Sequence, residues 1–352
     1  MKILVINPGS TSTKVAFFED LVAVIQEKID HTSAELAQYR SIREELPMRV
    51  SCVMGFLEKV GIQPSDLDVI VARGGMLPPV RHGAYVIDDA LVETLLERPA
   101  EQHASNLGAG IAQQIAKEGG PISAYIYDSV SVDEMKPIAR LSGIKGYDRR
   151  SFSHVLNTRA VVRAVAKKED FDPGEVNVIA AHLGGGISLN LQAKGELIDM
   201  ISADEGAYST QRAGGLPIFA AITVARREGT DALYQYETGK GGLLSYTGSN
   251  DAIGIERRAL AGDEYARLLY DGIAYQVAKS VGALATVVGG DVRAIILTGG
   301  MARSKLLTGA ITERVAFIAP VYLFPGELEM EALAAGAYRV MRGEEKARVY
   351  PR

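Results

Sequence analysis

Between Asn7 and Lys14 the chain reads Asn7-Pro8-Gly9-Ser10-Thr11-Ser12-Thr13-Lys14. One amide, four hydroxyls and an ammonium crowd into eight positions, with no bulky side chain among them. Hydroxyls and backbone N–H groups in such a turn can wrap an anion, and the lysine adds positive charge. The flanks read as strands: residues 3–6 form an apolar, mostly β-branched run, and residues 14–18 read as a second strand. Pro8 fixes φ and Gly9 tolerates φ > 0, so a tight reversal is expected between them. An ordinary hairpin with a polar tip is the alternative. The density of donors directly after a buried strand favours a phosphate loop, with Asn7, Ser10, Ser12 and Lys14 as its contacts. It is not a Walker loop, since no Gly-x-x-x-x-Gly-Lys-Ser/Thr run occurs, and no Gly-x-Gly-x-x-Gly follows the first strand.

Other chemistry-bearing residues also stand at strand ends. Residues 68–72 deliver Arg73-Gly74-Gly75, residues 122–127 end on Asp128, and residues 176–183 carry His182 into Gly184, Gly185 and Gly186. Residues 293–297 deliver Thr298-Gly299-Gly300. Ligands of open α/β sheets gather at the carboxyl ends of strands, so these are the expected site edges. The elements that position them repeat. A strand, a turn, a strand and a third strand (21–29) open the chain, and the same layout returns about 175 residues later, ending in a strand at 197–201. Helical periods at 34–60 (broken near Pro47), 90–96, 106–118, 159–168, 217–228, 230–238, 264–288 and 329–342 fill the intervals. We therefore expect an α/β chain of two duplicated domains. The first would span 1–148 together with a C-terminal helix at about 327–352, and the second 149–326.

Composition narrows the partners. With 38 basic and 43 acidic residues mixed along 352 positions, net charge −5, no basic patch stands out for nucleic acid or anionic membrane. Cys52 is the one cysteine, so no internal disulfide is available, and five scattered histidines have no zinc spacing. The first strand starts at once, leaving no room for a signal peptide, and the longest apolar stretch, 280–290, is too short and Gly-rich to span a bilayer. A cytoplasmic enzyme of small molecules is the expectation.

In order along the chain, Asn7-Pro-Gly-Ser-Thr-Ser-Thr-Lys14, Arg73-Gly-Gly, His103-Ala-Ser-Asn106, Tyr127-Asp128, Phe152-Ser-His154, His182-Leu-Gly-Gly-Gly-Ile-Ser188, Gln211-Arg212-Ala-Gly, Ser249-Asn250-Asp251 and Leu297-Thr298-Gly-Gly300 resemble the acetate kinase and butyrate kinase family. That family belongs to the sugar-kinase, heat-shock ATPase and actin superfamily, and the resemblance covers nearly the whole chain. Pro8, the Arg73-Gly-Gly-Met-Leu run, Glu101-Gln-His-Ala-Ser-Asn and the short length look most like its butyrate kinase members. The fold implied is a pair of actin-like (ribonuclease H-like) ATPase domains with a nucleotide cleft between them. The reaction implied is reversible transfer of the ATP γ-phosphoryl group, with Mg²⁺, to butyrate or another short-chain carboxylate, giving butanoyl phosphate and ADP. Relatives form homo-oligomers, so a dimer or larger assembly is expected.

The resemblance also assigns residues. Arg73 matches the arginine that grips the substrate carboxylate, and Arg212 the one beside the transferring phosphoryl group. A guanidinium fork suits both, although a surface ion pair is the alternative for each. His154 matches a donor to phosphoryl oxygens, and Asp128 the site acid, assigned with Asn7 to Mg²⁺ or its waters. A strand-end helix cap is the alternative for Asp128. His182 and Gly184 to Gly186 would lie along the ATP phosphates, while Asp251, Gly299 and Gly300 would line the adenosine pocket. Three departures from acetate kinases stand out. Arg73 abuts Gly74 directly, where they place two residues between the arginine and the Gly-Gly, an altered loop that would also make room for a longer chain. Met301-Ala302-Arg303 occupies the place of a metal-holding acid, for which Glu329 or Glu331 is offered instead. Ser153 replaces a phenylalanine that narrows the acyl pocket, which would make room for a longer chain. Acetate or propionate kinase is the nearest competing function. A sugar or alcohol kinase, with Asp128 as general base, and a switch ATPase of the actin or chaperone type are further ones.

Overall fold

A computed structural model describes residues 1–351 of the chain. Its contacts divide these into two compact units, Met1–Asp133 with Leu328–Arg352, and Glu134–Glu327. The division falls at residue 134, earlier than the sequence reading near 149. Residues 134–149 are tied to the second unit: Glu134 accepts from Leu197 N–H at 3.1 Å and Lys136 N–H donates to Ile198 O. Arg149 pairs with Asp199 and Glu205 there.

The first unit is built on a six-stranded sheet. β1 (Lys2–Pro8), β2 (Ser12–Glu19) and β3 (Val22–Asp30) form the antiparallel meander. β4 (Val69–Arg73) and β6 (Ser123–Tyr127) extend it in parallel, and the short β5 (Ala84–Val86) closes the far edge, in the order β3-β2-β1-β4-β6-β5. Ile3 to Ile6 and Val69 to Ala72 are fully buried, as a strand covered on both faces requires. The helices Leu46–Val60 and Leu107–Gly119 pack in this unit, and so does the last helix, Glu329–Met341, which contacts β1, β4 and β6. Glycine permits the closest approaches. A Cβ on Gly108 would stand 2.7 Å from Arg73 O, and one on Gly336 would stand 2.5 Å from the Tyr127 ring.

The second unit repeats the plan with β7 (Asn177–Leu183), β8 (Ile187–Ala193), β9 (Glu196–Ile201), β10 (Ala294–Gly299) and β11 (Val321–Pro325). The order β11-β10-β7-β8-β9 matches β6-β4-β1-β2-β3 strand for strand. Both meanders even carry an irregularity between their second and third strands, at Phe17/Phe18 and Leu191/Gln192. Helix Glu264–Val287 supplies much of the apolar cover, with Leu269, Ile273, Val277 and Val281 buried against β7 and β8. Among the described residues no helix is long and apolar enough to cross a membrane.

Candidate functional site

In the first unit the turn between β1 and β2 spans four residues, since Pro8 pairs with Thr13. Ser10 is exposed, Ser12 and Asn7 are buried, and Lys14 is half-buried on β2 opposite Asn7. Gly9 does not use the left-handed φ expected of it: it is absent from the positive-φ glycines, and a Cβ there would meet nothing nearer than 3.5 Å. The reversal is shaped by hydrogen bonds instead, among them Gly9 N–H to Ser12 O at 2.7 Å.

Arg73 and Asn7 are brought together by a residue that the sequence offered only as one of two acids. Glu329, at the start of the last helix, accepts from Asn7 Nδ2 at 2.8 Å and lies 3.3 Å from Arg73 Nη1. Its carboxylate stands at the N-terminal end of that helix, where negative charge is favoured. Glu331 has no such contact with either residue. The loop after Arg73 is held by the His103-to-Asn106 segment, to which sequence reading attached no role. Asn106 Oδ1 accepts from Met76 N–H at 2.7 Å, and Gly75 packs so tightly on Asn106 that a Cβ would collide with it. His103 accepts from Ser105 N–H, and burial together with the nearby Arg73 charge lowers its basicity. Asp128 is buried directly after β6, with Oδ1 accepting from Gly83 N–H at 2.8 Å. Its φ of +39° is unusual for a non-glycine residue, and such strain collects at functional positions.

In the second unit two predicted histidines meet. The rings of His154 and His182 stack with centroids 3.7 Å apart and planes within 9°. His154 Nδ1 is 2.8 Å from Ser188 Oγ, and Asn157 Nδ2 donates to His182 Nδ1 at 3.0 Å. That donation assigns the hydrogen of a neutral His182 to Nε2. Arg212 comes against the glycine turn: a Cβ on Gly186 would be 2.9 Å from its Nη1. Ser209 links the two loops, donating to Gly185 O at 2.6 Å and accepting from Arg212 N–H at 3.2 Å. Gly299, with φ of +89°, passes so close to Leu183 that a Cβ would meet its backbone at 2.4 Å, whereas Gly300 has open space beside it. Asp251 joins none of these residues; it caps the helix Ala252–Leu260, accepting from Gly254 N–H at 3.0 Å. Ser153, expected to widen the acyl pocket, donates to Asn190 Oδ1 at 2.6 Å.

Two such sheets, each with a turn after its first strand in the same strand order, give the actin-like ATPase fold, and similarity to known proteins gives the family. The acetokinase family model matches residues 123–317, more than half the chain. Butyrate kinase 2 of Clostridium acetobutylicum is 42% identical over 353 aligned residues, covering 99% of both chains. Probable butyrate kinase 2 of Caldanaerobacter subterraneus is 41% identical over 352, again with 99% coverage of each. The crystal structure of Porphyromonas gingivalis acetate kinase superposes with a TM-score of 0.79 at 18% identity, covering 97% of this chain and 99% of that one, a likeness of fold. The chain belongs to the acetokinase family.

Proposed function

We propose that this protein is a butyrate kinase, transferring the ATP γ-phosphoryl group to a short-chain carboxylate. The observation that carries the reading is the full-length likeness to butyrate kinases at 41–42% identity. The chemistry suits the side chains. A fatty acid with a pKa near that of Glu, about 4.3, is already ionised at neutral pH, so no general base is needed. One carboxylate oxygen attacks the γ-phosphorus, the bond to the β–γ bridging oxygen breaks, and ADP departs with that electron pair. The obstacle is repulsion between anions, which positive charge and oriented donors offset.

In this reading Arg73, oriented by Glu329, pairs the carboxylate of the acid. Arg212 and His154 stabilise the transferring phosphoryl group. The turn at Ser10 and Ser12, Lys14, His182 and Gly184 to Gly186 contact the phosphates. Gly299 and Gly300 pass beside adenosine, and Asp251 orients the helix next to it by its cap. Asn7, Asp128 and Glu329 offer only oxygen ligands, which suits Mg²⁺. Among the described residues no three His, Cys, Asp or Glu side chains form a closed metal cage, and Mg²⁺ ordinarily takes one or two carboxylates plus substrate phosphates. Bound there, it would neutralise phosphate charge. A cytoplasmic homo-oligomer is part of the same proposal.

Hydroxylamine trapping of the acyl phosphate, run with two- to five-carbon acids, tests the reading. Butyrate or a branched analogue should outrun acetate in kcat/KM. A clear preference for acetate moves the assignment to acetate kinase, and turnover of sugars without acids removes it.

A further inference from the structure

Beneath the first turn lies a cation that the proposed chemistry does not use. Arg49, on the helix Leu46–Val60, is fully buried. Its Nη1 donates to Gly9 O at 2.9 Å, to Ser12 O at 3.0 Å and to Thr13 Oγ1 at 3.0 Å, and its Nη2 donates to Ser10 O at 3.4 Å. The remaining carbonyl, that of Thr11, accepts from His31 N–H at 2.8 Å. All four carbonyls of the turn are therefore tied back to the protein. Glu45 neutralises the guanidinium, accepting from Nη2 at 2.7 Å and from Nε at 3.1 Å. His31 Nε2, 2.9 Å from Thr13 Oγ1, completes the network, and burial and the Arg49 charge lower its basicity.

In a trans peptide the C=O of one residue and the N–H of the next point in opposite directions. Pinning Gly9 O and Ser10 O inward thus turns the N–H groups of Ser10 and Thr11 outward. Neither N–H has a partner among the described residues, and both residues are exposed. Successive outward N–H groups make an anion-binding concavity. Glycine conformation does not impose it here, because Gly9 has an ordinary φ. A guanidinium spreads its donors over a rigid planar fork, so two of its nitrogens hold separate carbonyls in fixed directions; an ammonium, a single point on a flexible stem, does not reproduce that geometry.

We propose that Arg49 is a positioning residue that sets the peptide orientation of the Gly9–Ser12 turn, so that the Ser10 and Thr11 N–H groups receive a phosphate oxyanion. This rests on the reading of the turn as a phosphate site. The test compares Kd for ATP and for adenosine in the parent, in Arg49→Lys and in the neutral pair Glu45→Gln/Arg49→Met. The ratio Kd(adenosine)/Kd(ATP) should fall at least tenfold in both variants, while Kd for adenosine stays within twofold; KM for ATP should rise and KM for butyrate should not. An unchanged ratio in either folded variant overturns the proposal. Should the Met pair fail to fold, the Lys variant, which keeps the charge pair with Glu45, carries the measurement. Amide hydrogen exchange on the parent supplies an independent readout: ATP, but not adenosine, should protect Ser10 and Thr11. Absence of that protection overturns the proposal even where ATP binds tightly. A parent that binds adenosine as well as ATP would instead dismiss the phosphate turn itself, and the role of Arg49 with it.

Discussion

Glu329 joins two residues that the sequence named separately, and its value can be measured. Replacing it by Gln removes the charge beside Arg73 and one oxygen ligand suited to Mg²⁺. Loss of a residue that orients a site commonly costs about 10- to 100-fold, so kcat of Glu329→Gln should fall in that range and half-saturating Mg²⁺ should rise. Rates titrated with Mg²⁺ check this; unaltered rate and Mg²⁺ dependence would take Glu329 out of the site. Glu237 behaves differently. It lies in the π turn Tyr236–Lys240, which packs on the Arg212 loop through Ala213 N–H to Tyr236 O, and its Oε2 is buried without a hydrogen-bond partner. Burial first, then the Asp204 charge, push its pKa up to about 7, with Arg212 pulling the other way. Between about 4.3, the ordinary Glu value, and about 7, the folded chain keeps a proton that the unfolded chain has released, so stability falls as pH rises through this window. Glu237→Gln should abolish that fall. Its Tm relative to the parent should climb from pH 5 to about pH 7 and level off above it, and a constant difference would mean that Glu237 titrates like a solvated acid.

At the scale of elements, two glycines on helices give opposite expectations. Gly336 faces the Tyr127 ring with no room for a Cβ, so Gly336→Ala should destabilise by about 1–3 kcal/mol through overpacking and displace the helix that carries Glu329. Gly309 lies exposed on the helix Lys305–Val315, where a Cβ would meet nothing within 4 Å, and Gly309→Ala should stabilise by about 0.4–1 kcal/mol. Urea unfolding of both variants measures the contrast. All strands but the three-residue β5 were legible in the sequence, because their apolar runs are short and bounded by turn residues; both meanders and the C-terminal helix were read close to their observed limits. The helices Gly242–Thr247, Ala252–Leu260 and Lys305–Val315 were missed, because glycines and charged residues interrupt their apolar period. Residues 230–238 read as one helix, whereas the chain widens into a π turn at Tyr236. Within the proposed site, strand-end residues were visible by position. Arg49 and Glu45 were not, because a charged residue in a helical period is taken as solvent-facing. The signal was present: Arg49 shares the buried face of Leu46, Val50, Val53 and Phe56.

At the scale of the whole molecule, the chain leaves its first unit at Asp133 and returns to it only for the last segment, so that unit depends on residues distant in sequence. Helix Glu329–Met341 buries Met330, Leu333, Ala334 and Ala337, and beyond it Val86 N–H donates to Arg348 O at 2.8 Å, while Tyr127 Oη donates to Glu345 at 2.7 Å. Burial of Met330 and Leu333 alone is worth about 1.5–3 kcal/mol each. The faces of β1, β4 and β6 beneath the helix would be uncovered as well, and a domain has only about 5–15 kcal/mol of stability in total. A chain ending at Glu327 should therefore lose the fold of residues 1–133 while retaining that of 134–327, whose sheet, helices and core are drawn from its own continuous segment. Limited proteolysis with mass spectrometry separates the cases better than activity, since removing Glu329 should by itself lower activity whatever happens to the fold. A resistant fragment beginning near residue 134 is the expected product. Equal resistance across residues 1–133 would mean that the six-stranded sheet stands without its last helix.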